Sequence, residues 1–186
     1  MNEKGDFEIE VLVLTYNRAP LIGATLESLL AQTQPASRIC VFDNGSTDDT
    51  RKVVASFAAR GVELVCRGSN DPRAVWKELQ AMAQGSWTML FHDDDLLHPD
   101  YLRDVSAALA NSPHATVAVS AMRVSQNPEH TDWGTIRGNR YLSLTGRQFA
   151  ERVFGGFPMP FCSAVYRTAV RKRGDFRIES YGKLGD

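Results

Sequence analysis

An α/β fold, with a mostly parallel central sheet and helices on both faces, is predicted for this chain of 186 residues. Three observations predict it. Short apolar, β-branched runs recur along the chain, and such runs read as strands buried on both faces. Each of the first four is followed by a stretch of helical spacing, and βα units in series give parallel strands joined by right-handed crossovers. Polar residues then gather just past three of those strands, where open sheets of this kind bind ligands.

The elements follow in order. Ile9 to Leu14 (IEVLVL) is the first strand. Pro20 suits a first helical turn, and Leu21, Ile22, Leu26, Leu29 and Leu30 carry an amphipathic helix that ends near Gln34-Pro35. Ile39 to Phe42 (ICVF) is the second strand. Ser46 or Thr47 opens the next helix, with Asp48 and Asp49 favourably placed at its positive end. Val53, Val54 and Phe57 form its buried stripe and Gly61 stops it. Val62 to Cys66 is the third strand, Arg73 to Gln84 a helix, and Trp87 to Phe91 (WTMLF) the fourth strand, which runs into His92-Asp93-Asp94-Asp95. A helix from Pro99 carries Leu102, Val105 and Leu109 on one side, and Thr116 to Val124 is a fifth strand. Beyond it the pattern weakens. Ser125 to Arg140 reads as a long polar loop, Thr145 caps a helix to Phe154, and Gly155 to Pro160 is turn-rich. Phe161 to Tyr166 reads as a further strand with a short helix after it.

Composition narrows the function classes. With 43% hydrophobic and 23% charged residues, the chain is expected to be soluble and globular rather than disordered or collagen-like. A net charge of −1 leaves no basic surplus, so no nucleic-acid partner is expected. Cys40, Cys66 and Cys162 fit neither a zinc spacing nor a disulfide framework, which points to reduced thiols and a cytoplasmic setting. The opening MNEKGDFEIE lacks the apolar core of a signal peptide, and no apolar run is long enough for a transmembrane segment.

Three polar stretches carry the candidate chemistry. Asp93, Asp94 and Asp95 repel one another at a strand end, and a hard divalent cation would relieve that conflict. Mg²⁺ or Mn²⁺ is commonly held by one or two carboxylates together with substrate phosphates. The plainer account is negative charge placed before the helix that starts near Pro99. In Asp43-Asn44-Gly45-Ser46-Thr47-Asp48, Gly45 permits a close turn and the helix start after it offers free N–H groups, as any capped βα turn does. In Thr15-Tyr16-Asn17-Arg18, Tyr16 can stack on a base while its neighbours bond a ribose or base edge, or it can pack beneath a polar loop.

Together, VLVLTYNR, FDNGSTDDT, AQGSWTMLFHDDDLLHPDYL and, more weakly, FCSAVYRTAVRKRGDF resemble the family 2 glycosyltransferases, nucleotide-sugar-dependent enzymes of the Rossmann-like GT-A fold. The likeness covers nearly the whole chain in order and spacing. It implies that Thr15, Tyr16 and Asn17, with Arg18, line the nucleotide, and that Asp43 and Asn44 lie where the family places acids that contact the base. Many members have two aspartates there. An Asn admits other bases than uracil, so the donor base stays open. Asp93 to Asp95 match the family's DXD metal motif, with Asp94 as the main ligand of Mn²⁺ or Mg²⁺. Asp93 would lie near the ribose or metal, and Asp95 would act as a ligand through water or as an orienting residue. His92 reads as a strand-end histidine making one hydrogen bond. Apart from the resemblance, Arg73, after the loop 68–72, can face the diphosphate or be a solvated residue at a helix start. The family's general base falls after a Gly-Phe-like turn, here Gly174-Asp175-Phe176, and the acid in the matching place is Asp186.

The resemblance thus implies an inverting transferase moving a sugar from a nucleoside-diphosphate sugar to an acceptor hydroxyl on an unknown glycan, lipid or protein. A non-catalytic nucleotide-sugar binding or scaffold module of the same fold is the alternative. A phosphotransfer domain would want a Lys at a late strand end, and no lysine falls at such a place in this sequence. The chain is expected to be one GT-A domain, cut short at its carboxyl end, with a nucleotide-binding half over 1–112 and a partial acceptor-binding half over 113–186. Such a chain is expected to bind nucleotide and metal but to transfer sugar slowly or not at all. Trp133, Tyr141, Phe154, Phe157 and Phe161 can stack an acceptor sugar or serve as core. The cluster Arg167, Arg171, Lys172 and Arg173 can meet phosphate or a membrane surface, or be a solvated helix face.

Overall fold

A computed structural model describes residues 7–72, 74–120, 142–155 and 161–171. Its centre is a sheet of six strands in the order β3-β2-β1-β4-β6-β5. The strands are β1 (Ile9–Thr15), β2 (Arg38–Asp43), β3 (Val62–Cys66), β4 (Trp87–His92), β5 (Val117–Val119) and β6 (Ala164–Arg167). The helices are α1 (Ile22–Leu30), α2 (Thr50–Ala55), α3 (Val75–Ala81), α4 (Tyr101–Ala110), α5 (Gly146–Phe154) and α6 (Thr168–Arg171). The first four strands are parallel, whereas β6 runs antiparallel to both β4 and β5. No helix among the described residues is long and apolar enough to cross a membrane.

The alternation of side chains along a strand divides the core into two layers. Val11 and Val13 of β1, Val41 of β2 and Met89 and Phe91 of β4 face one side, where Ile22, Leu26 and Leu29 of α1, Val54 of α2 and Leu102, Val105 and Leu109 of α4 pack on them. Leu12, Cys40, Phe42 and Leu90 face the other side, covered by Val75 and Leu79 of α3. Each fully buried aliphatic or aromatic side chain here contributes roughly 1.5–3 kcal/mol by leaving water. Helices therefore cover both faces, and the central strands carry continuous apolar runs for that reason.

Two departures from the sequence reading have local causes. α2 starts at Thr50 rather than at Ser46 or Thr47, because those residues are bonded to the β1–α1 loop and Asp48 Oδ1 accepts the Thr50 N–H at 3.0 Å. The expected fifth strand is confined to Val117–Val119 among the described residues. Its partner is β6, with Ala118 opposite Val165. The predicted Thr145 cap is present: its Oγ1 accepts the Gln148 N–H at 3.3 Å, and Gln148 Oε1 accepts the Thr145 N–H at 2.9 Å. That reciprocal pair is a capping box.

The topology fixes where a ligand can sit. From β1 the chain winds outward to β2 and β3, then crosses to β4 on the other side of β1. The strand order reverses between β1 and β4, and the crevice beyond their carboxyl ends is the switch point of the sheet. Thr15 pairs with Asp43 and Leu14 with His92 in the ladder, so all three polar tips end at one level.

Candidate active site

Asp93 joins the two sides of this crevice. Its carboxylate lies 3.6 Å from Arg18 Nε. Burial lifts the Asp93 pKa above the usual carboxylate value, with the charge of Asp94 adding to the rise. The Thr15 hydroxyl, Arg18 and the Tyr16 amide oppose it. The Thr15 hydroxyl is buried and approaches without closing a well-formed hydrogen bond. Tyr16 is 39% exposed although it is a large aromatic residue beside a buried strand. Its ring is thus open to a flat ligand.

The neighbouring loops are knitted together. Asn17 takes a left-handed conformation, φ 54°, and its backbone N–H donates to Ser46 Oγ at 2.9 Å while its Oδ1 accepts the Thr47 N–H at 2.8 Å. The Arg18 N–H donates to Thr50 Oγ1 at 2.8 Å and the Ala19 N–H to Asp48 at 3.2 Å. The Asn17 side-chain oxygen is therefore engaged in fixing the loop that presents Tyr16. Asp43 is fully buried. Arg51 Nε and the Ser46 N–H donate to its carboxylate, and Arg51 is anchored in turn on the Arg67 carbonyl at 2.7 Å. Asn44 donates to Asn70 Oδ1 at 2.7 Å and accepts the Asp71 N–H at 3.2 Å. Asp43 and Asn44 thus hold the loop after β3 in place.

The three aspartates divide. Asp93 turns to the β1 loop. Asp94 is exposed, and no described residue bonds its carboxylate. Asp95 pairs with His92, whose Nδ1 is 3.4 Å from its Oδ2. The imidazole holds the Asp95 carboxyl below its usual value and is itself raised in pKa by that carboxylate. Cys162 also donates to Asp95. An exposed carboxylate flanked by two more fits a hard divalent ion, since the like-charge strain on Asp93 falls when a cation sits beside Asp94.

Nine of the sequence-predicted site residues can be placed: Thr15, Tyr16, Asn17, Arg18, Asp43, Asn44, Asp93, Asp94 and Asp95 all lie at the tips of β1, β2 and β4. Arg73 and Asp186 lie outside the described residues, as do Trp133, Tyr141, Phe157, Lys172 and Arg173 and the side chains of Phe154, Phe161 and Arg171. Arg167 is a structural residue, stacked 4.8 Å over the Trp87 ring and bonded to the Pro113 carbonyl at 3.0 Å. Sequence reasoning missed Arg51, Asn70 and Cys162. Arg51 is the second residue of α2, in the helix that follows Asp43, and a cation so placed offered a signal; Cys162 offered none.

Solved structures share this architecture. That of TarS 1–349 from S. aureus matches with a TM-score of 0.70 at 21% identity, over 89% of this chain and 48% of that one. Its complex with UDP-GlcNAc matches at 0.65 and 23%, over 89% of this chain and 47% of that one. The mannosyltransferase PcManGT of Pyrobaculum calidifontis, in complex with GDP-Man and Mn²⁺, matches at 0.55 and 23%, over 63% of this chain and 36% of that one. The fold is that of GT-A glycosyltransferases. An uncharacterized glycosyltransferase of Mycoplasma pneumoniae, the MG060 homolog, is 29% identical over 107 residues, 53% of this chain. The chain spans 36% of the length of that relative. The family described as glycosyl transferase family 2 matches residues 10–174, a span that includes all three strand tips, and the chain belongs to that family.

Proposed function

We propose that this chain is the donor-binding part of an inverting glycosyltransferase, moving a sugar from a nucleoside-diphosphate sugar to an acceptor hydroxyl with a divalent metal. The single observation that carries the reading is the Arg18–Asp93 contact at 3.6 Å, which couples the β1 and β4 tips at the switch point, beside an exposed aromatic ring and an exposed carboxylate. Family membership supports it, as do the nucleotide-sugar complexes of TarS and PcManGT.

In this reading Tyr16 stacks on the base, and Thr15 and Asn17 line the ribose side. Arg18 orients Asp93 and offers its exposed edge, with Arg73, to the diphosphate. Asp43 and Asn44 shape the base pocket from beneath, through Arg51 and Asn70. Asp94 holds Mg²⁺ or Mn²⁺, and Asp95 acts through water or as an orienting carboxylate. The bound ion supplies charge neutralisation for the departing nucleoside diphosphate. Asp186 takes the proton of the acceptor hydroxyl as general base. The anomeric carbon gains the acceptor oxygen on one face as the bond to the diphosphate breaks on the other, which inverts its configuration. The nucleotide-binding half is 1–112, and residues 113–186 belong to the acceptor-binding half. The acceptor is a glycan, lipid or protein hydroxyl.

Calorimetric titration of UDP, GDP and dTDP with and without Mn²⁺ tests the reading. Metal-dependent binding of at least one nucleotide is expected, with the metal-dependent part lost in Asp94→Ala. Binding that ignores both the metal and this substitution would remove the metal assignment.

A further inference from the structure

His92, Asp95 and Cys162 bring three kinds of metal donor together, and their ligating atoms all lie within 4.8 Å of one another. Two come from the tip of β4 and the third from the 3₁₀ turn Phe161–Ser163 just before β6. That turn is fixed from two directions. β6 pairs with β4, Met89 opposite Val165, and the buried Tyr101 hydroxyl donates to the Ser163 carbonyl at 2.6 Å. The juxtaposition is therefore built by the sheet and by α4, and does not depend on the three side chains finding one another.

We propose that His92, Asp95 and Cys162 form a second cation site, for a thiophilic divalent ion of the zinc class, separate from the carboxylate of Asp94. Donor chemistry selects the ion. Imidazole and thiolate favour Zn²⁺ or Co²⁺, whereas Mg²⁺ and Mn²⁺ prefer all-oxygen sets. Geometry agrees. Tetrahedral bonds of about 2.0–2.3 Å put ligand atoms about 3.3–3.8 Å apart, and His92 Nδ1 and Asp95 Oδ2 already stand 3.4 Å apart. Closing the remaining gap takes side-chain rotation at His92, which is exposed. Three protein ligands leave a fourth position toward solvent, where a water would complete the set.

The cation replaces a proton. The Cys162 thiol donates to the Asp95 carboxylate, so the ion takes the place of that hydrogen. Binding releases that proton to solvent and puts the ion between thiolate and carboxylate, a charge balance that makes the site a binding site without any redox step. An occupied site also ties the 161–163 turn to the tip of β4.

Titration of the metal-free full chain with Co²⁺, under a phosphine reductant that does not bind metal, tests this without reference to sugar transfer. One equivalent of Co²⁺ is expected to give a thiolate-to-cobalt charge-transfer band, displaced stoichiometrically by Zn²⁺. The band should vanish in Cys162→Ser. It should need roughly tenfold or more Co²⁺ in His92→Gln, by analogy with losses of supporting ligand contacts. Cys66→Ser and Asp94→Ala should keep it. Because His92 is exposed, its replacement tests the site without disturbing the core. No band in the unmodified chain, a band surviving Cys162→Ser, or a band lost in Asp94→Ala or Cys66→Ser would overturn the proposal.

Discussion

Gly45 is the position where the loops of the site press most closely, and its replacement by Ala is a worked test of that packing. Its φ is +85°, and a Cβ there would lie 2.5 Å from the Ser69 carbonyl carbon and 2.6 Å from the Asn70 nitrogen. Both are backbone atoms, so no side chain can swing away. Two costs add. The left-handed conformation costs an Ala roughly 1–2 kcal/mol, and forcing the 68–70 segment outward costs about 1–3 kcal/mol more. Gly61 separates them, because it has φ +88° but nothing within 4 Å of its virtual Cβ. Gly61→Ala should therefore lose roughly 1–2 kcal/mol and Gly45→Ala roughly 2–5 kcal/mol. Urea denaturation with an unchanged slope reads both directly. Equal losses in the two variants would refute the packing of the loop after β3 on the β2 tip.

Three further outcomes follow from the same geometry. Tyr101→Phe removes the buried bond to the Ser163 carbonyl and should cost roughly 0.5–1.5 kcal/mol in chemical denaturation. Glu63 is held below its ordinary value of 4.5 by the Arg38 guanidinium. The native state then binds fewer protons than the unfolded chain, so the stability this adds is present above that value and is lost as pH falls through the lowered one. The pair is partly exposed, so Glu63→Gln should flatten the acid limb by only roughly 0.2–1 kcal/mol, measured by denaturation at stepped pH. Tyr16→Ala should weaken nucleotide binding by about tenfold or more, since stacking on a base contributes about 1–3 kcal/mol, and should lower the denaturation midpoint less than truncation of a fully buried aromatic side chain would, because Tyr16 is 39% exposed.

The parts of the fold legible from sequence are those whose physics is local. β1, β2 and β4 are buried on both faces by α1, α2 and α4 on one side and α3 on the other, so they read as unbroken apolar runs. Their polar tips stood out for the same reason. The boundary of α2 was less legible because Ser and Thr bond equally well to a helix start or to another loop, and here Ser46 serves Asn17. Asp43 and Asn44 were legible as polar residues at the tip of β2, but their partners were not. Only the fold shows that Arg51 neutralises one and Asn70 ties down the other. Cys162 was invisible because its neighbours His92 and Asp95 reach it through the β4–β6 pairing, a contact some seventy residues long that no local spacing encodes.

In the proposed function the β1–β4 crevice holds a nucleoside diphosphate beside Asp94. Crystals of this chain soaked with UDP, GDP or dTDP and Mn²⁺ test it most directly. Density is expected for a base against Tyr16 and for the diphosphate and ion between Arg18 and Asp94. A nucleotide bound elsewhere on the molecule, with the crevice empty at saturating ligand, would contradict it.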